Sequence, residues 1–232
     1  MRIGIVIPFY LRGKSHNEAY RIAFRHYAKM GYLVHLCGSE GKLSRQFAEP
    51  FLSDNVKYFE VQQFGFCFQS GGDNHIRKKF NDSLQTLPKD LDWFCLVGAD
   101  DIVSRRFFEN LDATDPKGIN MAGVDSREKL LIHDLNGESY RCELTYSVEI
   151  LPGVNAFSRD ALAINGCKPY LLKGCETGAE RYYKSRGVII PLSGAVIMVK
   201  DSECLNPSEK IKARHRIFEL TDNEQTFVNL HL

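Results

Sequence analysis

The sequence predicts an α/β protein in which a mostly parallel sheet is flanked by helices. Through the first hundred residues, apolar strand-like runs alternate with amphipathic helical patterns, an order typical of parallel strands joined by helices. The run from Trp93 to Ala99 has no polar side chain, as expected of a strand buried on both faces. Because no repeat or flexible linker interrupts the chain, we expect residues 1–232 to form a single domain.

The first two strands and the intervening helix are defined by their ends. The run "RIGIVIPFY" predicts a strand that Pro8 ends, because proline cannot donate to a sheet ladder. The segment "SHNE" matches a capping box, with Ser15 as the cap and Glu18 three residues later. The helix that it opens has a continuous apolar side and is predicted to stop at Gly31. "YLVHLCGSE" then predicts the second strand.

The next elements continue this alternation. "KLSRQFAEPFL" predicts a short helix that Pro50 disturbs, and "VKYFEVQ" predicts the third strand. A helix with one apolar side is predicted from about His75 to Leu87. "WFCLVGA" is the fourth predicted strand.

The second half is less regular. "SRRFFENL" predicts a short helix that Ser104 could cap, and "GINMAGVD" predicts a strand. Residues 127–150 predict a hairpin that turns at Asn136 and Gly137. "LPGVNAFSRDALAINGC" is interpreted as a loop followed by a helix that begins after Ser158 and stops at Gly166.

Composition excludes several classes of protein. Hydrophobic residues make up 44% and charged residues 25%, and the formal net charge is +1, so net charge gives no reason to expect nucleic acid or an anionic membrane as partner. No apolar run approaches the roughly 20 residues that cross a bilayer, and the N-terminal run is interpreted as a strand and not as a signal peptide. The seven scattered cysteines form no CxxC pair. We therefore expect a cytoplasmic protein with reduced thiols and no transmembrane segment.

Polar residues follow three of the predicted strands. Tyr10 comes shortly after the first strand, Glu40 after the second, and Asp100 and Asp101 after the fourth. In an open parallel sheet, ligands bind beyond the carboxyl ends of the strands. Glu40 can accept hydrogen bonds from ribose hydroxyls, although a solvated turn residue is the alternative. These strand exits, the positions that directly follow the carboxyl ends of the strands, predict a ligand site at one edge of the sheet.

The adjacent acids suggest a metal. Mg²⁺ and Mn²⁺ prefer hard oxygen ligands and usually reach a protein through one or two carboxylates, which makes Asp100 and Asp101 candidates. The alternative is that either acid caps the helix that follows, because capping acids are common. A second candidate is Arg77 near the start of its helix, which could reach a nucleotide or simply lie on a surface face.

The order of the segments "IGIVIPFY", "HLCGSE" and "RKKFNDSLQTLPKDLDWFCLVGADD" resembles the first half of a GT-A glycosyltransferase of the family-two type. In that family the last segment ends in "DADD", whose acids bind the sugar nucleotide and its metal. Here Gly98 replaces the first acid and leaves "GADD". The resemblance implies that residues 1–101 form the nucleotide-sugar half. It places the metal on Asp100 and nucleotide-sugar contacts on the following residues: Pro8, Phe9, Tyr10, Glu40, Arg77 and Asp101.

The second half, about residues 102–232, resembles the acceptor and catalytic half of the same family. "CETGAERYYKSRG" is similar to a segment in which Gly187 sets the register and Glu176 falls on the catalytic acid, while Cys175 replaces the acid before it. In related folds a late histidine or arginine returns to the metal or the diphosphate, which implies metal binding by His215 and nucleotide-sugar binding by Arg214. A solvated basic segment is the alternative for these two residues.

Together these features predict a hexosyl- or pentosyltransferase. It would move a sugar from a nucleotide-diphospho-sugar to an acceptor hydroxyl with inversion, using Mn²⁺ or Mg²⁺ and Glu176 as general base. The acceptor is unidentified: a glycan, a protein or a modified DNA base. Two alternatives stay open. The residues Arg12, Gly13 and Lys14 are a sparse version of a nucleotidyltransferase loop, and the departures at Gly98 and Cys175 would suit a non-catalytic binding protein.

Overall fold

A computed structural model describes residues 1–11, 14–61, 72–164, 166, 168–169, 175–200 and 208–232. Within these ranges, side chains are not described for residues 14–16, 72–77, 175–178 and 208. The strands are β1 (Ile3–Pro8), β2 (Leu33–Gly38), β3 (Val56–Glu60), β4 (Trp93–Val97), β5 (Asp101–Val103), β6 (Asn120–Val124), β7 (Lys129–Asp134), β8 (Ser139–Glu143), β9 (Val154–Ser158), β10 (Val188–Leu192), β11 (Ala195–Lys200) and β12 (Arg216–Phe218). The helices are α1 (Lys14–Ala28), α2 (Lys42–Ala48), α3 (Gly72–Leu84), α4 (Arg105–Asp112), α5 (Arg159–Ala163), α6 (Cys175–Lys184), α7 (Ser208–Lys212) and α8 (Asp222–His231), with a 3₁₀ turn at Glu49–Phe51.

The larger sheet has seven strands in the order β10-β6-β9-β4-β1-β2-β3. Strand β9 is antiparallel to its neighbours β4 and β6, and every other adjacent pair is parallel. The predicted fold class, a mostly parallel sheet flanked by helices, is therefore confirmed. Because six strands run in the same direction, their carboxyl ends meet at one edge, where a ligand site is expected.

A second sheet has five strands in the order β12-β8-β7-β11-β5. Its pairs are antiparallel except for β7 with β11. The predicted hairpin is the pair β7 and β8, and Gly137 in its turn has a φ of 105°, which suits glycine. Strands from both sequence halves, 1–101 and 102–232, share the larger sheet, so its carboxyl edge combines residues of the two.

Helix α1 packs as its apolar pattern predicts. The residues of its predicted apolar side are all buried: Tyr20, Ala23, Phe24, Tyr27 and Met30. The predicted cap was misplaced, because α1 begins at Lys14 and Ser15 therefore lies inside its first turn. The proline in "KLSRQFAEPFL" acts as predicted, since α2 ends at Ala48 and a 3₁₀ turn containing Pro50 follows.

Strand β9 was predicted as a loop and is instead a central strand. All five of its residues are buried, because β4 and β6 flank it and both of its faces are covered. A strand buried on both faces shows no alternation of polar and apolar residues, and five residues are too few to stand out otherwise. The cap after it was predicted correctly, since the Ser158 hydroxyl accepts a hydrogen bond of 3.2 Å from Ala161 N.

Ser104 occupies the predicted cap position of α4, but its side chain has another partner. Its hydroxyl accepts from Ala195 N at 2.9 Å, and Ser104 N donates to Ala195 O at 3.0 Å. Ser104 therefore joins α4 to the start of β11, in the second sheet.

The C-terminal helix α8 is tied to the second sheet by a buried acid. Glu224 is 2% exposed and completes a capping box with Thr221. Its Oε1 lies 3.1 Å from Lys129 Nζ and 3.6 Å from Arg141 Nη1. Burial alone would raise the pKa of Glu224, but the N–H of Thr221 and the ammonium of Lys129 outweigh it and lower that pKa to about 2. The carboxylate therefore stays charged in the folded protein.

We expect Glu224→Gln to destabilise the protein by about 3 kcal/mol at neutral pH, because a folded pKa of about 2 lies below the usual value of 4.5. This stabilisation is fully present above about pH 4.5 and is lost as the pH falls towards the folded pKa of about 2, so the deficit of the variant should shrink in acid. Urea denaturation of both proteins across this pH range measures the difference in their free energies of unfolding. Glu138→Gln is the control, because the Glu138–Lys212 pair is exposed and should contribute less than about 1 kcal/mol. A deficit that does not change with pH would contradict this assignment.

Candidate active site at the carboxyl edge of the larger sheet

The residues at the exit of β1 have a mainly structural role. Pro8 is buried and pairs with Cys37, and Phe9 N donates to Cys37 O at 3.0 Å. The Phe9 ring is 1% exposed and packs against Phe24, with ring centroids 5.1 Å apart. A ligand at this exit would therefore meet the backbone of Phe9 and the half-buried side chain of Tyr10.

Lys79 of α3 places an ammonium between the exits of β1 and β2. Its Nζ donates to the carbonyl oxygen of Phe9 and, at 3.0 Å, to Ser39 Oγ. The same Nζ lies 5.9 Å from the centroid of the Tyr10 ring. Lys79 was not among the predicted site residues, although the basic run of residues 77–79 was the available signal. The predicted Arg77 belongs to the same helix, and its side chain lies outside the described residues.

Glu40 is held at the exit of β2 by two hydroxyls. Ser39 Oγ donates to its Oε1 at 2.8 Å, and the buried Ser44 donates to its Oε2. Glu40 N in turn donates to Ser44 Oγ at 2.8 Å. The half-buried carboxylate is therefore fixed in place, unlike that of a loosely solvated turn residue. Because each carboxylate oxygen can accept more than one hydrogen bond, Glu40 can still accept from a ligand hydroxyl.

Gly98 makes room for the carboxylate of Asp101. A Cβ atom on Gly98 would lie 2.1 Å from Asp101 Oδ2 and 2.9 Å from Asp101 Cγ. Asp101 is 6% exposed, and its carbonyl oxygen accepts from the buried hydroxyl of Tyr27 at 3.0 Å. The carboxylate of Asp101 therefore occupies the space that a side chain at position 98 would need. Asp101 also begins β5, so it belongs to a strand and does not cap α4.

Asp100 is paired with a lysine from the second sheet. Lys200, at the end of β11, places its Nζ 2.7 Å from Asp100 Oδ2. The two side chains are 10% and 22% exposed, respectively. Lys200 was not predicted as a site residue, because it is 100 residues from Asp100 in the sequence. The signal was weak: a single lysine ends the otherwise apolar strand "AVIMVK".

Arg214 and His215 lie elsewhere. Thr145 Oγ1 donates to Arg214 O at 2.9 Å and lies 3.3 Å from His215 Nδ1. His215 immediately precedes β12, whereas Asp100 immediately precedes β5, and these strands form opposite edges of the five-stranded sheet. Four strand spacings amount to about 19 Å. The predicted metal site shared by Asp100 and His215 is therefore incompatible with the sheet order.

The residues at the β4 exit do not fit a divalent metal site. The Asp100 carboxylate is engaged by the Lys200 ammonium, and the Asp101 carboxylate is directed towards Gly98. Among the side chains that the structure describes, no group of three or more histidine, cysteine, aspartate or glutamate residues is arranged to hold a metal ion. Dependence on Mn²⁺ or Mg²⁺ stays a prediction of the sequence resemblance.

A small cavity of ≈ 30 Å³ opens beside the β4 exit. Its lining residues are Tyr146, Val148, Ile150, Leu151, Pro152, Asn155 and Glu180. Glu180 of α6 accepts a hydrogen bond of 3.1 Å from Glu149 N through its Oε1. Gly153, next to Pro152 of the cavity, accepts from Gly98 N at 3.3 Å. The cavity therefore adjoins the segment that carries Asp100 and Asp101.

The predicted catalytic Glu176 lies in the first turn of α6, and its side chain lies outside the described residues. Helix α6 packs on β6 and β10, and only residues 185–187 connect it to β10. A helix joined to a strand by so short a turn runs antiparallel to it. The first turn of α6, with Glu176, therefore lies towards the carboxyl edge of the sheet, one helical turn before Glu180.

Comparison with known proteins reveals similarity only in the arrangement of helices and strands. No protein-family model matches the sequence, and no curated protein matches it. Among solved structures, the bifunctional glycosyltransferase WbbM aligns with a TM-score of 0.45 and 12% identity over 82% of this chain and 38% of WbbM. An active-site mutant of LgtC aligns with a TM-score of 0.47 and 11% identity over 81% of this chain and 72% of LgtC.

A third solved structure, 4-diphosphocytidyl-2C-methyl-D-erythritol synthase, aligns with a TM-score of 0.45 and 12% identity over 99% of this chain and 97% of the synthase. The alignment with WbbM, by contrast, covers well under half the length of that protein. Because one fold serves many chemistries, this likeness shows the fold and not the function. In the described parts of the chain, every helix is too short or too polar to cross a membrane.

Proposed function

We propose that this chain is a glycosyltransferase that moves a sugar from a nucleotide-diphospho-sugar to an acceptor hydroxyl with inversion. The observation that carries this proposal is the grouping of Glu40, Lys79 and the Asp100–Lys200 pair at the exits of β2, β1 and β4, which are adjacent in the sheet. A nucleoside diphosphate offers complementary groups, since it has ribose hydroxyl donors at one end and phosphate oxygens at the other.

In the proposed complex, the nucleotide lies across the ends of β2, β1 and β4. Glu40, already fixed by two serine hydroxyls, accepts from the ribose. Tyr10 and the backbone at Pro8 and Phe9 border the nucleoside, and Lys79 faces the phosphates. Asp101 shapes the β4 exit and contacts the donor, and Arg77, near the middle of α3, is a further nucleotide contact. Arg214 has no place in this arrangement, because it lies beside β12 at the far edge of the second sheet.

Chemistry takes place where this edge meets the cavity beside β4. Glu176 removes the proton from the acceptor hydroxyl as its oxygen attacks the anomeric carbon on the face opposite the diphosphate. The new C–O bond forms while the bond to the diphosphate oxygen breaks, and the nucleoside diphosphate leaves with the electron pair. Lysine ammoniums stabilise the charge that develops on the leaving group. Glu180 and Asn155 line the cavity, where they orient the acceptor.

Product analysis tests this proposal against its alternatives. A thermal-shift panel of nucleotide sugars first selects the donor, because a ligand that binds the native state raises the Tm. With the selected donor, we expect release of free nucleoside diphosphate. Release of pyrophosphate from a nucleoside triphosphate and a sugar phosphate would contradict the proposal and favour a nucleotidyltransferase. Binding with neither product would identify a non-catalytic binding protein.

A further inference from the structure

We propose that Lys200 serves as the cation at Asp100, so that the nucleoside diphosphate binds through lysine ammoniums and without a divalent metal. The inference rests on the proposed function, because it concerns the same diphosphate. Its basis is the ion pair between Asp100 Oδ2 and Lys200 Nζ, which are 2.7 Å apart.

The sheet itself fixes this pair. Val199 N donates to Asp100 O at 2.8 Å, so the backbone next to Lys200 is bonded to the residue that its side chain contacts. Strand β11 is further anchored to β7 along six residue pairs. Because the Lys200 side chain is only 10% exposed, few other positions are open to its ammonium. The Lys200 side chain is therefore held in a defined position at the site.

A metal ion would compete with this arrangement. To bind Asp100 Oδ2, a divalent cation would have to displace the Lys200 ammonium and leave it, mostly buried, beside a dication. Like charges repel strongly where water is scarce. The neighbouring acid does not relieve this competition, because the Asp101 carboxylate is packed into the space beside Gly98.

Lysine chemistry suits the task. An ammonium has three N–H donors and no acceptor, so it can serve a carboxylate and a phosphate at the same time. Asp100 holds the Lys200 ammonium in place, and the ammonium neutralises the charge of the Asp100 carboxylate. Lys79 supplies a second ammonium at the exits of β1 and β2. Since β1 is adjacent to β4 in the sheet, the two lysines lie at neighbouring strand exits, as the proposed diphosphate site requires.

The test measures affinity for UDP, GDP, CDP and ADP by calorimetry, in excess EDTA and in excess Mn²⁺. We expect the best of these ligands to bind the wild-type protein equally well, within about threefold, in both conditions. Lys200→Met should weaken binding in EDTA by about 10-fold to 100-fold, as for the loss of a hydrogen bond to a charged group. Lys200→Arg should retain part of the affinity. The control Arg2→Met removes another paired cation, just before β1 and so at the opposite end of that strand from this edge, and should leave affinity unchanged.

The outcomes separate this inference from the proposed function. Binding that requires Mn²⁺ and is unaffected by Lys200→Met overturns the inference while the proposed function stands, whereas no binding in either condition overturns both. If Lys200→Met fails to fold, titration of Mn²⁺ alone, followed by the electron paramagnetic resonance of the free ion, decides the matter. The inference expects equal Mn²⁺ uptake by wild type and Asp100→Asn. A bound Mn²⁺ that is lost in Asp100→Asn overturns it.

Discussion

Glu176→Gln is expected to reduce sugar transfer by about 10²-fold to 10⁴-fold and to leave nucleotide-sugar affinity within about twofold. The amide is nearly isosteric with the carboxylate but cannot accept the proton of the acceptor hydroxyl. The position supports this role, because the first turn of α6 lies towards the edge at which the parallel strands end. Turnover measured at saturating donor, together with donor affinity from calorimetry, gives the two quantities.

Glu180→Gln is the matched control, because Glu180 lies on the same helix and lines the cavity beside β4. We expect this variant to raise the KM for the acceptor and to retain most of the turnover. If Glu176 were only an acid at a helix N-terminus, its variant would lose a few tenths of a kcal/mol of stability and turn over almost normally. A large loss of turnover in Glu180→Gln with none in Glu176→Gln would reassign the base to Glu180.

Gly187→Ala is expected to lower the free energy of unfolding by about 3 kcal/mol, since overpacking against an atom that cannot move is costly. A Cβ at this position would lie 1.9 Å from the carbonyl oxygen of Ile119. That carbonyl also accepts a 2.9 Å hydrogen bond from Val188 N at the start of β10. The backbone would therefore have to shift at the junction of β6 and β10. Urea denaturation measures the change.

The control for this prediction is Gly118→Ala. Gly118 has a φ of 90°, but a Cβ there would meet nothing within 4 Å. Only backbone strain remains at this position, for which we expect a loss of about 1 kcal/mol. Equal losses in the two variants would show that the close approach of Ile119 to Gly187 is not what requires glycine there.

Most of the larger sheet could be predicted because its strands produce strong local signals. Buried runs such as Ile3–Pro8 and Trp93–Val97 are bounded by proline, glycine or acids and are separated by amphipathic helices. Strand β9 escaped prediction because it is short and buried on both faces. Strand β5 escaped because its three residues form a strand only by pairing with β11, far along the chain.

The site was only partly predictable, for the same physical reason. Glu40 and Asp100 could be placed because strand exits of a parallel sheet converge on one edge. The lysines that contact these exits could not, since Lys200 depends on the second sheet bringing β11 beside β5. His215 was assigned to the wrong region because no local pattern determines where a late basic segment returns. The sheet order placed it beside β12, at the edge opposite β5.

The passage from β4 to β5 takes only residues 98–100, and it carries the chain from the larger sheet directly into the smaller one. Lys79 comes from a helix that packs on the larger sheet, whereas Lys200 ends a strand of the smaller. The distance between the Lys79 and Lys200 ammoniums therefore depends on how the two sheets pack against each other. If the proposed nucleotide binds there, substitutions buried between the sheets, remote from any ligand, should change that spacing and with it the length of the phosphate chain that is bound.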